Sequence, residues 1–351
     1  MFVIGSLFLY YIVFAVHLFL ISSKRKSRRI CFFFGITILT LFSGLRYQVG
    51  TDYNNYVNNY YYVISNTSIL NIQLKEFLFR LLCKIASLFD SYRFLFLFSS
   101  FFTVLFMYLG IKKLSKNWII PYSMYLFIFF PNTYNLVRQG FAQSIVLFAT
   151  SYIFEKRLFA YFNMILAAFF IHMSSFCTLL FYFIYYHFGL NKKIKMIKIF
   201  IFILFICLIC IFYKRLIYIF STMHPDLYRY KLYASTLTIG KNRDFYLKIV
   251  QMLILLIFLK RLVKIESRNK FYYLLFILSV IFNYLGFFNP FIKRISIYFE
   301  MYIIFILEDL IYCFRKKDKN IIKYSLYIYS CGYFYIFYYI MGKSQIFPYK
   351  F

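Results

Sequence analysis

The feature that most constrains this chain is a series of twelve apolar runs of roughly membrane-spanning length, separated by short basic segments. A membrane-spanning helix needs about 20 mostly apolar residues. The runs cover approximately residues 3–22, 30–45, 94–111, 118–131, 138–154, 158–173, 175–190, 199–219, 246–260, 271–288, 295–313 and 324–341. Hydrophobic residues make up 63% of the 351 residues, whereas soluble domains contain about 45–50%. The sequence therefore predicts an all-α polytopic integral membrane protein of ten to twelve spans in one domain, residues 1–351, and excludes a soluble enzyme or a disordered chain.

The basic residues predict the orientation in the membrane. The chain has 41 Lys and Arg against 11 Asp and Glu, a net charge of +30. More than half of the basic residues lie in six short segments that follow alternate runs, at 24–29, 112–116, 156–157, 192–198, 260–270 and 315–323. Short cytoplasmic loops are enriched in Lys and Arg, so we expect the N-terminus outside and multiple passes of the cytoplasmic membrane. This scattered charge favours contact with anionic membrane lipids and argues against nucleic-acid binding.

Two long segments, 43–93 and 220–245, then face outward as extracytoplasmic loops. Polar residues recur every three or four positions within 69–90, which predicts an amphipathic helix in the outer interface. In that helix Glu76 precedes Arg80 by four residues, a favourable spacing for a helical pair.

The start of the first outward segment predicts a turn followed by a helix. Gly50 can supply the turn, and Thr51 or Asp52 can cap the helix. Tyr53 and Tyr56 share one face of that helix with Tyr60. This aromatic stripe predicts an interfacial anchor, a surface on which sugar rings stack, or both.

Polar side chains stand at the outer ends of several predicted spans, where they are costly unless they meet water or a partner. Arg46 follows the second run, Arg138 and Gln139 open the fifth, His172 lies at the end of the sixth, and Arg294 lies just before the eleventh. Three guanidinium groups near one membrane level suit a diphosphate, because Arg binds phosphate oxygens bidentately and stays charged.

A His or Asp beside such a diphosphate site could deprotonate an attacking hydroxyl. His172 and Asp52 are the candidates, and the sequence does not choose between them. Glu300 lies inside the eleventh run and is either a functional residue or half of an ion pair with Lys293 or a neighbouring helix.

One C-x-x-C pair, Cys207 and Cys210, lies inside the apolar run 199–219, where Cys behaves as a small hydrophobic residue. The sequence therefore predicts no metal site and no cofactor.

Three motifs resemble the EpsG family of Wzy-like polysaccharide polymerases. The first is Gly44-Leu45-Arg46 followed by Val49-Gly50-Thr51-Asp52-Tyr53 and Tyr56; the second is Asn135, Arg138-Gln139-Gly140, Ala142 and Ser144, followed by Ala167, Ala168 and His172; the third is Arg294 with Tyr298, then Pro348-Tyr349-Lys350. The motifs span nearly the whole chain. The chain departs from the pattern in having no acidic residue but Asp52 close to the first motif.

The resemblance implies a glycosyltransferase of O-antigen, capsule or exopolysaccharide synthesis. Such an enzyme passes a growing glycan from undecaprenyl diphosphate to a new lipid-linked repeat unit outside the cytoplasmic membrane, with a chain-length regulator as a further partner. In this interpretation Arg138 and Arg294 hold the donor diphosphate, Arg46 grips the acceptor diphosphate or joins the same clamp, and His172 or Asp52 is the base. Further substrate-binding candidates are Gln139, Tyr298, Tyr53 and Tyr56.

Two other functions remain open from the sequence. A flippase or transporter of the same lipid-linked sugars also needs cationic residues that face a cavity, although the chain shows no convincing internal repeat. A membrane-bound O-acyltransferase carries a membrane His with an Asn some tens of residues before it, a pattern that Asn135 and His172 match.

Overall fold

The computed structural model describes residues 2–23, 27–66, 76–189, 243–287 and 290–351, together with the single positions 204, 208, 212 and 215. Throughout these ranges the regular structure is helical, without a strand, which confirms the all-α class. Three predicted features fall wholly or largely outside the described residues: the span at 199–219, the outward segment at 220–245 up to residue 242, and the first part of the amphipathic helix, residues 69–75.

Fourteen α-helices are found in the described ranges. In chain order they are α1 Phe2–Ile21, α2 Arg28–Gly44, α3 Tyr53–Asn66, α4 Phe77–Ser87, α5 Arg93–Leu114, α6 Ile119–Ile128, α7 Val137–Phe154, α8 Leu158–Ile171, α9 Leu179–Ile184, α10 Arg243–Ile265, α11 Asn269–Leu285, α12 Pro290–Glu300, α13 Ile303–Leu310 and α14 Lys319–Tyr333. Shorter 3₁₀ turns at Phe130–Tyr134 and Met173–Thr178 precede α7 and follow α8.

Two of the described helices are long and apolar enough to cross a bilayer, at Val3–Ile21 and Arg93–Leu114. Three more are apolar but shorter: α6, α8 and α11. An α-helix rises 1.5 Å per residue, so a ten-residue helix such as α6 covers only about half of the hydrocarbon core. The run predicted at 118–131 ends as an α-helix at Ile128 because a 3₁₀ turn that contains Pro131 follows it. The total of twelve spans remains a prediction.

The chain divides into two compact units. The first comprises Met1–Leu179 and Phe314–Phe351, and the second comprises Leu180–Cys313.

Helix α5 lies at the centre of the first unit, packed against α2 and α7, while α7 also packs along α8. Close approach of α5 to α7 depends on Gly110, where an added Cβ would lie 3.0 Å from the backbone N of Phe148. The two helices of the outward segment, α3 and α4, pack on each other, and α4 also packs on α5 and α8. This arrangement brings segment 43–93 against the beginning of α7 and the end of α8.

The C-terminal residues of the first unit return to the loop between α2 and α3. The backbone N–H of Tyr47 donates to the carbonyl of Lys350 at 2.9 Å, and that of Gly50 donates to the carbonyl of Gln345 at 3.2 Å. The ring of Tyr349 stacks on α2. Residues 345–350 therefore pack along one side of the loop between α2 and α3.

The second unit contains a buried ion pair between Lys248 on α10 and Glu300 at the end of α12. Glu300 was expected to be functional or ion-paired, and its partner is on a neighbouring helix. In the same unit the Asn269 side chain donates to the Asp309 carboxylate at 2.8 Å and to the carbonyl of Leu262 at 3.0 Å. These contacts satisfy polar groups that would otherwise be costly to bury.

We expect Gly110→Leu to lower the free energy of unfolding of the protein in detergent by about 1–3 kcal/mol, the usual cost of overpacking. The measurement is thermal unfolding of the purified full chain. Gly332→Leu is the matched control, because a Cβ added to this glycine on α14 meets no atom within 4 Å. Equal effects of the two substitutions would contradict close packing of α5 on α7.

Candidate active site

The beginning of α7 is tied to the beginning of α3 through Asn135. Its side-chain oxygen accepts the backbone N–H of Thr51 at 2.7 Å, and its backbone carbonyl accepts the Tyr56 hydroxyl at 3.1 Å. Gly50, the residue before Thr51, has a φ of +102°, and a Cβ at this position would lie 2.6 Å from the Asn135 side-chain oxygen. The expected turn is therefore present, and it requires glycine for both conformation and space.

Arg138 lies in the first turn of α7, beside this junction. Its guanidinium group lies over the rings of Tyr56 and Phe79, at 5.6 and 5.5 Å from their centroids. It forms an ion pair with Glu76, and its side chain is 32% exposed. A guanidinium group has five N–H donors, so Arg138 can hold Glu76 and still present a cationic edge to a ligand.

Glu76 occupies the position immediately before α4, with left-handed backbone angles of φ 55° and ψ 39°. Such angles are uncommon for a residue with a side chain and mark sites where the surrounding structure imposes a conformation. The two carboxylate oxygens have different partners. Oε2 accepts from Arg138, and Oε1 lies 2.9 Å from Nδ1 of His172.

His172 stands at the break between α8 and the 3₁₀ turn that follows. Helix α8 ends at Ile171, and His172 is in an extended conformation with φ at −152°. Its side chain is 20% exposed, while that of Glu76 is 13% exposed. The cluster of Arg138, Glu76 and His172 is thus half-buried, and Arg138 is its most exposed member.

The surroundings of Glu76 keep its carboxyl group ionised. Burial on its own raises the pKa, but the hydrogen bond from His172 and the charge of Arg138 outweigh it, so the pKa lies below its ordinary value. The stabilisation from this carboxylate is therefore fully present above about pH 4.3, the ordinary value for Glu. It is lost as the pH falls through the lower pKa of the folded protein.

An ionised carboxylate also determines which nitrogen of His172 carries the proton. A carboxylate only accepts hydrogen bonds, so Nδ1 of His172 must be the donor to Glu76. In neutral imidazole the lone pair is then on Nε2. His172 is consequently oriented to accept a proton at Nε2, next to a guanidinium group that can hold an anion.

Arg46, expected to bind a diphosphate, is in the interior of the first unit and only 2% exposed. It donates to the carbonyl of Ser43 and, at 3.2 Å, to that of Tyr134. The rings of Phe96 and Tyr134 cover its guanidinium group at 4.7 and 4.6 Å. A cation beside the carbonyl groups at a helix C-terminus is favourable, so in this structure Arg46 joins the end of α2 to the turn before α7.

The tyrosine stripe of α3 also faces inward. Tyr53 is 3% and Tyr56 7% exposed, and Tyr53 stacks on Phe96 with ring centroids 4.9 Å apart. Both were expected at a surface, as an anchor or a sugar platform, but their faces are occupied by the packing of α3 on the core. Gln139 is buried on α7 as well, at 2% exposure.

The remaining candidates are Asp52 in the first unit and Arg294 and Tyr298 in the second. Asp52 is half-buried just before α3, and its carbonyl accepts the backbone N–H of Tyr56 at 3.1 Å. The carboxylate that the structure brings to His172 is that of Glu76. Arg294 and Tyr298 belong to α12 of the second unit, where Arg294 is exposed and Tyr298 is buried.

Glu76 is a site residue that the sequence motifs do not identify. Its spacing to Arg80 predicts a helical pair, whereas the structure pairs it with Arg138 and His172, 62 and 96 positions away. A signal was available, because carboxylates are scarce in this chain and Glu76 lies in the same outward segment as the first motif. Within the described ranges, no three His, Cys, Asp or Glu side chains are grouped so that they could hold a metal ion.

The cluster lies within the range that a known family covers. The model of the EpsG family matches residues 29–351, nearly the whole chain. No curated protein and no solved structure matches the chain.

We expect Arg46→Lys to lower the free energy of unfolding by about 1–3 kcal/mol, because an ammonium group cannot serve both carbonyls in the plane between two rings. Thermal unfolding of the purified chain measures this change. Arg157→Lys is the control, since Arg157 also lies over a ring but is 63% exposed. A variant Arg46→Lys with wild-type stability and no activity would instead support direct substrate binding by Arg46.

Proposed function

The chain belongs to the EpsG family, and we propose that it is the polymerase of a bacterial polysaccharide pathway. The family is one of membrane proteins of polysaccharide biosynthesis. In our proposal the chain transfers a growing glycan from undecaprenyl diphosphate to a new lipid-linked repeat unit, on the outer face of the cytoplasmic membrane. The observation that carries the proposal is the cluster in which Glu76 bridges Arg138 and His172.

Glycosyl transfer from a lipid diphosphate needs two kinds of group at one place. The diphosphate leaves with additional negative charge, which a guanidinium group stabilises, and the acceptor hydroxyl must lose a proton, which an imidazole takes up. Arg138 and His172 supply these two groups on either side of one carboxylate. The donor carries its own leaving group, so the activating diphosphate comes with the substrate.

The reaction then proceeds as follows. Nε2 of His172 takes the proton of the acceptor hydroxyl while the hydroxyl oxygen attacks the anomeric carbon of the donor glycan. The bond between that carbon and the diphosphate oxygen breaks, and its electron pair leaves with undecaprenyl diphosphate, held by Arg138. Glu76 stabilises the imidazolium ion that forms, and between turnovers the ion returns its proton to water.

The proposed topology has twelve spans with the cluster facing outward, supported by the Lys and Arg in alternate loops. Arg294 of the second unit stays a proposed substrate-binding residue, as does Tyr298. A chain-length regulator is the proposed protein partner.

Two substitutions test the chemistry. We expect His172→Ala to lower polymerisation roughly 100-fold or more, the usual effect of losing a general base. Arg138→Lys should also lose most activity, because it keeps the charge but not the planar donors. The measurement is the ladder of glycans that purified protein forms in liposomes from lipid-linked repeat units.

His187→Ala, at an exposed histidine, and Arg157→Lys are the matched controls and should retain the ladder. Wild-type ladders from His172→Ala would remove it as the base. Movement of repeat units across the bilayer without lengthening would identify a flippase, and full-length polymer that lacks acetyl groups in a deletion strain would identify an acyltransferase.

The topology is tested by labelling cysteines in intact spheroplasts with a membrane-impermeant maleimide. Asn55→Cys, at an exposed position of α3, should react from outside, whereas Lys156→Cys, in a predicted cytoplasmic loop, should react only after permeabilisation. The parent chain with its seven native cysteines gives the background. The reverse pattern would invert the proposed orientation.

A further inference from the structure

We propose that Glu76 is a positioning residue that couples anion binding at Arg138 to the basicity of His172. This inference rests on the proposed function for its substrate, the diphosphate of a lipid-linked glycan. In this arrangement a diphosphate bound to Arg138 raises the proton affinity of His172.

The coupling follows from the way that one negative charge is divided. Glu76 gives Oε2 to Arg138 and Oε1 to His172, so the two partners share a single carboxylate. In the empty protein the positive charge of Arg138 offsets the attraction of Glu76 for a proton on His172. A bound diphosphate compensates Arg138, and the full charge of Glu76 then stabilises the imidazolium ion.

The site is sufficiently enclosed for the charge of Glu76 to act on His172. The side chains of Glu76 and His172 are 13% and 20% exposed, so water and salt screen their interaction only partly. The left-handed backbone of Glu76 holds the carboxylate between α7 and α8. Glu76 acts through its two partners and does not itself take the substrate proton, which places it among the positioning residues.

Other charged and titratable groups near the cluster come from α3 and α4. Helix α4 contributes Arg80, Cys83 and Lys84, and α3 contributes Tyr56, with Asp52 just before it. Burial raises the pKa of the Cys83 thiol to about 12, so this group stays neutral at working pH. Helices α7 and α8 carry no charged side chain within their bounds except Arg138.

The histidines themselves provide the direct test, because the chain has only four. The full-length protein is labelled with ¹³C-histidine, and the His172 signal is assigned by its loss in His172→Gln. Its titration is then followed with and without inorganic pyrophosphate as the probe. We expect pyrophosphate to raise the proton affinity of His172 about tenfold, in line with the effect of a nearby charge.

Glu76→Gln should abolish most of this increase, because the amide keeps the hydrogen bond but carries no charge. Glu155→Gln is the control, since that carboxylate is also ion-paired but is 40% exposed and belongs to a different pair, and it should behave as wild type. Glu76→Asp is the second variant should Glu76→Gln fail to fold. It keeps the charge but is too short to serve both partners, so it should also lose most of the increase.

An unchanged increase in Glu76→Gln would overturn the proposal, since the field of the diphosphate would then act on His172 directly. No increase in the wild type would overturn it as well. These outcomes do not depend on polymerisation. A chain that shows the coupling but forms no glycan ladder would refute the proposed function alone, and a chain that forms the ladder without the coupling would refute this inference alone.

Kinetics supply a second readout that a purely structural role would not change. In the wild type the acidic limb of kcat, which reports the substrate complex, should lie at higher pH than that of kcat/KM, which reports the free enzyme. In Glu76→Gln the two limbs should coincide. Separate limbs in that variant would contradict the coupling.

Discussion

The arrangement of the site depends on a single carboxylate shared by a guanidinium group and an imidazole. Half-buried charges are tolerated when each has a partner and good hydrogen-bond geometry, and Glu76 supplies both to Arg138 and His172. The three side chains come from α7, the residue before α4, and the residue after α8. Their juxtaposition therefore requires the helices of segment 43–93 to pack against both α7 and α8, so the geometry of the cluster depends on the packing of the first unit.

Arg46 and Arg138, both in the first unit, show that two arginines expected to bind the same kind of group can lie in different environments. Arg46 is enclosed by aromatic rings and donates to backbone carbonyls, so its charge is used inside the protein. Arg138 also lies over rings, but it has a carboxylate partner and keeps about a third of its side chain exposed. Arg46 holds the turn before α7 in place, whereas Arg138 carries a partly exposed charge at the end of that turn.

The all-helical class, the turn at Gly50 and the helix that begins at Tyr53 could be predicted because they depend on composition and local backbone chemistry. The proximity of Arg138 and His172 follows from the packing of α7 on α8. The role of Glu76 could not be predicted, since its partners are far away along the chain and local spacing offered Arg80 instead. The burial of the tyrosine stripe on α3 could not be predicted either. The periodicity shows that these residues share a face, but it does not show which neighbour covers that face.

The return of residues 345–350 to the loop between α2 and α3 has a consequence for biosynthesis. Tyr47 and Gly50 receive their backbone partners from a stretch that the ribosome makes some 300 residues later. A nascent chain can insert its early helices in order, yet the loop beside Arg138 stays without these hydrogen bonds until translation reaches that stretch. The loop is thus completed only after residues 345–350 have been synthesised, and a chain that terminates before them lacks both hydrogen bonds.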